Sequence, residues 1–89
     1  MSRYIYIVRQ EWQPEGRREE AAYYGENAAR YDYHRRYAQL LDEGWREVAT
    51  GRAWAALERR GEWVTAGQLW ERGAESCALW LLRREEGEP

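Results

Sequence analysis

The sequence predicts an α+β domain: a small antiparallel sheet, a β-α-β-β-β-β meander, packed against one main helix, with residues 52–60 open between strand and helix. Three observations point there. A β-branched and aromatic run opens the chain. One stretch of helical period follows, between an Asn and a Gly. Beyond that Gly, short apolar runs are punctuated by charged, glycine-containing turns, whereas an amphipathic helix would intersperse its charges every three or four residues.

Tyr4 to Trp12 reads as the opening strand. Tyr4, Tyr6 and Val8 alternate with Ile5, Ile7 and Arg9, and both sets begin apolar, so the first half of this strand is expected to be covered on two faces. Gln13 to Glu20 reads as a loop, because Pro14 and Gly16 break the strand and its charges cannot be buried unpaired. Ala21 to Gly25 shows no clear period. Asn27 to Glu43 reads as the helix, with Asn27 as N-cap and Gly44 as the stop. Ala29, Tyr33, Tyr37, Leu40 and Leu41 are expected on its core face, with Tyr31 opposite Leu41.

The remaining strands are expected near 45–50, 53–58, 62–71 and 76–84, and Trp45, Trp54, Trp63, Trp70 and Trp80 are distributed among them. Two other readings compete. Arg52 to Arg60 is Ala-rich and could be a helix closed by Gly61. A full helix-turn-helix would then use Thr65 to Gly73 as its second helix and Ser76 to Glu86 as its recognition helix.

Leu40-Leu41-Asp42-Glu43-Gly44-Trp45-Arg46-Glu47-Val48 is similar to the signature of a small bacterial strand–helix–EGW–strand family of unknown function. Tyr4 to Val8 resembles the opening strand of that family and Ala78 to Arg84 its closing one. The resemblance covers about half the chain. It implies an α+β architecture and no activity.

Eighty-nine residues make one domain. The chain is 44% hydrophobic and 34% charged, a folded rather than a disordered composition. It has six Trp and seven Tyr, each able to anchor a small core when buried. All its basic residues are Arg, and Phe is absent. A GC-rich genome explains most of that bias, and the Arg/Glu content also suits a thermophile. The net charge of -2 argues against a broadly basic nucleic-acid binder. A single Cys rules out an internal disulfide and fits a reducing cytoplasm. The apolar run at Tyr4 to Val8 is too short for a membrane span or a signal-peptide core.

Candidate chemistry is sparse. His34, the single His, lies off the helix core face and reads as solvated. Cys77 opens the apolar run to Leu82 and reads as a buried structural thiol rather than a nucleophile. One His and one Cys on distant elements make a poor zinc site. Without Lys there is no P-loop, and no glycine pattern fits a dinucleotide. The chain is therefore expected to be no enzyme and to hold no cofactor.

The expectation is a protein-binding module, an inhibitor or adaptor. Small Tyr-, Trp- and Arg-rich domains are frequent among phage and mobile-element proteins that block host machinery, anti-CRISPR proteins included. Arg17, Arg18, Tyr23, Tyr24, Tyr31 and Arg35 are the candidate partner-binding residues, because Tyr, Trp and Arg dominate interface hot spots. The alternative is a nucleic-acid binder that uses the helix-turn-helix-like segment 52–86.

Overall fold

The computed structural model describes residues 3–48 and 60–86. Five strands and one helix run in the order β1 (Arg3–Gln13), β2 (Arg18–Tyr23), α1 (Glu26–Asp42), β3 (Arg46–Val48), β4 (Glu62–Arg72) and β5 (Glu75–Glu86). The strands form one antiparallel sheet in the order β2-β1-β5-β4-β3. This is the expected α+β architecture. The expected strand 53–58 and the alternative helix 52–60 lie outside the described residues. The helix-turn-helix reading is overturned, since Thr65 to Arg72 and Ser76 to Glu86 are strands.

One strand went unforeseen. Residues 18–23 pair with β1, from Glu11 opposite Arg18 to Tyr6 opposite Tyr23. The break read from Pro14 and Gly16 is a tight turn, and Tyr23 belongs to a strand rather than a loop. Trp12 N–H donates to Arg17 O at 2.8 Å and Gly16 N–H donates to Trp12 O at 2.9 Å. Gly16 takes φ of 77°, which an L side chain rarely adopts.

The helix begins one residue before the expected Asn27, with Gly25 as N-cap. Its end is a Schellman motif. Gly44, at φ 85°, donates to Leu41 O at 3.1 Å, and Trp45 N–H donates to Leu40 O at 3.0 Å. Trp45 and Leu40 are both buried in the core, which supplies the hydrophobic contact that accompanies this cap. Arg72 of β4 reinforces it. Its guanidinium lies 4.6 Å from the Trp45 ring centroid and donates to Glu43 O at 3.1 Å, a cation against the negative end of the helix.

The core lies between α1 and one face of the sheet. Val8 and Trp12 of β1, Cys77, Leu79 and Leu81 of β5 and Trp70 of β4 meet Ala29, Tyr33 and Leu40 of the helix. Tyr37 closes this layer edge-on against Trp70, with ring centroids 4.9 Å apart. Leu41 departs from expectation and is exposed. It follows Leu40 by about 100° around the helix, far enough to leave the core stripe.

The other face carries Ile7, Ala78, Trp80 and Leu82, also buried, so β1 does bury both of its parities. Arg9 shares that face at 5% exposure. It donates from Nη1 and Nη2 to Glu62 Oε1 and Oε2 at 3.0 and 2.8 Å, and from Nε to Glu20. Burial opposes the arginine's charge, but the two carboxylates outweigh it and raise its pKa. The bond from Arg9 holds Glu62 below the usual carboxylate range against the cost of burial.

Candidate partner-binding surface

Edge strand β2 packs beside the N-terminal half of α1, and one buried carboxylate joins them. Asp32 is 3% exposed. It accepts from Tyr23 Oη at 2.7 Å, from Arg35 Nη2 at 2.7 Å and from Arg36 Nε at 3.0 Å. Burial would raise its pKa, but these three donors outweigh it, and the carboxyl is held below its ordinary value. The same bond raises the pKa of the Tyr23 hydroxyl. Arg36 reaches further, to Gln10 Oε1 at 2.9 Å and Glu19 Oε1 at 3.2 Å. Sequence reasoning missed Asp32, although an Asp followed at three and four residues by Arg is a legible helical ion-pair pattern.

Of the six candidate residues, Tyr23 and Arg35 are drawn into this network. Arg17 lies at the other end of β2, its guanidinium 3.9 Å from the Trp12 ring centroid. Arg17 and Arg35 both line a cleft of about 270 Å³ between the hairpin and the helix, floored by Gln10 and Leu40. Arg18 lies on the sheet edge and donates to Glu20 Oε2 at 2.7 Å, outside that cleft. Tyr24 and Tyr31 are 68% and 75% exposed and outside the core clusters.

The solvent side of α1 is more apolar than expected. Tyr31, His34, Ala38 and Leu41 follow at steps of three, four and three, and all are exposed. Leu41 is 55% exposed. Tyr31 and Leu41 lie about 80° apart around the helix at 100° per residue, so they border one outward stripe rather than opposite faces. Arg35 flanks it.

Potential reactive groups are withdrawn or scattered. Cys77 is buried, and its thiol is pushed up to about 11 by that burial. Gln10 Nε2 contacts its sulfur at 3.8 Å. His34 sits on the surface with an edge contact to Tyr33. Among the described residues no group of three or more His, Cys, Asp or Glu side chains could hold a metal. No helix there is long and apolar enough to cross a membrane.

Comparison of the chain with protein-family models, curated proteins and solved structures gives no match.

Proposed function

We propose that this protein is a non-enzymatic protein-binding module whose contact surface is the outer stripe of α1. One observation carries the reading: Tyr31 and Leu41, two large apolar side chains, stand in solvent on a helix whose core face is already filled by Ala29, Tyr33 and Leu40. An amphipathic helix that docks in a partner's groove presents its anchors at steps of three and four, as the exposed stripe Tyr31, His34, Ala38 and Leu41 does. Arg35 at its flank and Tyr24 before the helix add the side-chain types that dominate hot spots. Arg17 and Arg18 on the hairpin extend the polar rim. A module of this kind acts by occupying a partner's surface, as an inhibitor or adaptor does. The buried, unpaired Cys77 suits work in a reducing cytoplasm.

The test is capture of partners from host lysate on the immobilised protein, compared with a Tyr31→Ala/Leu41→Ala variant. The variant should melt at nearly the wild-type temperature. It should hold its specific partner at least tenfold more weakly, about 1.4 kcal/mol. Equal capture by both proteins sinks the reading.

A further inference from the structure

The outer side of β2 is an open sheet edge. β2 is the terminal strand beside β1, and among the described residues no strand pairs with its other side. Trp12 N–H donates to Arg17 O, and the ladder alternates from there. Glu19, Ala21 and Tyr23 therefore turn their N–H and C=O groups toward β1. Arg18, Glu20 and Ala22 turn theirs outward, and all three residues are exposed.

Edge strands are ordinarily kept from associating by charge, by proline or by a bulge. β2 holds no proline, and the turn at Gly16 lies before it. Its charges are answered from within the chain. Glu20 pairs with Arg9 and, at 2.7 Å, with Arg18, and Glu19 pairs with Arg36 at 3.2 Å. The second half of the strand, Ala21-Ala22-Tyr23, carries no charge and has two of the smallest side chains. A strand approaching this edge meets unpaired backbone groups and little net charge.

We infer that β2 pairs antiparallel with β2 of a second copy of this chain, joining the two sheets across a two-fold axis at Ala21. Backbone direction and charge together select that register. Outward-turned residues must meet outward-turned residues, so Glu20 lies opposite Ala22 of the copy, and each such pair exchanges two backbone hydrogen bonds. Glu19 then lies opposite Tyr23, Ala21 lies opposite itself, and no like charges are opposed within the strand. Moving the axis to Glu20 or to Glu19 sets that carboxylate against its own copy, which is unfavourable. Moving it to Ala22 leaves only Ala21 to Tyr23 paired. One strand pair buries well under the ~1,200 Å² of a standard stable complex, so the dimer is weak and depends on concentration. This edge is separate from the outer stripe of α1, and the inference does not depend on the proposed protein partner.

The test is sedimentation velocity of the intact protein from micromolar to near-millimolar concentration, which should show monomer and dimer in exchange. Ala22→Pro removes an outward N–H and leaves the ladder to β1 whole, so it should abolish the dimer. Ala22→Glu sets a like charge opposite Glu20 at two places and should raise the dissociation constant about tenfold. Both changes fall at an exposed position, and melting temperatures check that the variants fold. Should Ala22→Pro fail to fold, Ala22→Glu carries the test. Ala21→Cys should cross-link to its copy under mild oxidation, because opposed residues of a non-hydrogen-bonded pair have Cα atoms about 4.5 Å apart. Ala22→Cys should not, since its copies are offset along the strands beyond disulfide reach. The buried Cys77 does not compete. A protein that stays monomeric at every concentration overturns the inference. So does a dimer indifferent to both Ala22 changes, a dimer lost in the Tyr31→Ala/Leu41→Ala variant, or equal cross-linking at positions 21 and 22.

Discussion

The indole of Trp80 occupies the space that a side chain at Gly67 would need. The two residues are cross-strand partners on β5 and β4, and a Cβ at position 67 would lie 2.5 Å from Trp80 Cδ1. The backbone there takes no left-handed conformation, so the glycine is required by contact rather than by φ. Gly67→Ala should destabilise the fold by about 1–3 kcal/mol through displacement of a buried ring. Urea unfolding checks this, and a variant as stable as wild type would mean that Trp80 finds another rotamer without loss.

The Arg9–Glu62 pair predicts sensitivity to acid. Glu62, Glu20 and Asp32 all titrate below their unfolded values. Their contribution is therefore complete above the unfolded pKa values of about 4 and is lost as pH falls through the lower folded ones. The urea midpoint should drop between pH 6 and pH 3. Glu62→Gln should cost about 3 kcal/mol at neutral pH, because Arg9 is left buried with one carboxylate in place of two. It should also flatten the acid limb. An unchanged pH profile would show that the pair does not govern acid stability.

Two adjacent leucines should behave oppositely. Leu40 is sealed in the core and Leu41 stands in solvent. Leu40→Ala should cost roughly 2–5 kcal/mol, and Leu41→Ala within about 0.5 kcal/mol of nothing. Denaturant melts of the two single variants decide it, and similar costs would place the helix in a different rotation on the sheet.

Cys77 should be chemically quiet. A buried thiol pushed up to about 11 holds almost no thiolate at neutral pH. A disulfide reagent should label the native protein slowly and the urea-unfolded protein at once. Fast native labelling would mean that the β5–helix core opens readily.

Much of this architecture is written in period and punctuation. Tyr4 to Trp12 announces a doubly covered strand, and Gly44 marks the helix stop to the residue. The strand over 18–23 was hidden because its REEAAY sequence carries no alternation; as an edge strand it is held by β1 on one side. Its register comes from the turn at Gly16 rather than from a hydrophobic face. Leu41 misled because a step of one residue from Leu40 looks apolar in sequence yet turns about 100° in space. Candidate surface residues were legible only by type. Composition singles out Tyr24 and Tyr31, but sequence cannot show that Tyr23 is spent on Asp32. Nor does it show that Arg9 meets Glu62, since ion pairing depends on register between strands far apart in the chain.

The sheet order also imposes a sequence of events on synthesis. β5 is the last in chain order of the five described strands and lies between β1 and β4. A nascent chain that has reached residue 74 therefore has β1–β2 at one side and β3–β4 at the other, with α1 packed on both but no described strand to hydrogen-bond them into one sheet. The sides of Val8 and Trp70 that β5 covers stay open until that strand is inserted, so the sheet closes late and through contacts far apart in sequence. A ribosome stalled before residue 75 would present two sticky half-sheets, and a substitution in β5 should lower soluble yield more than one of equal cost in the helix.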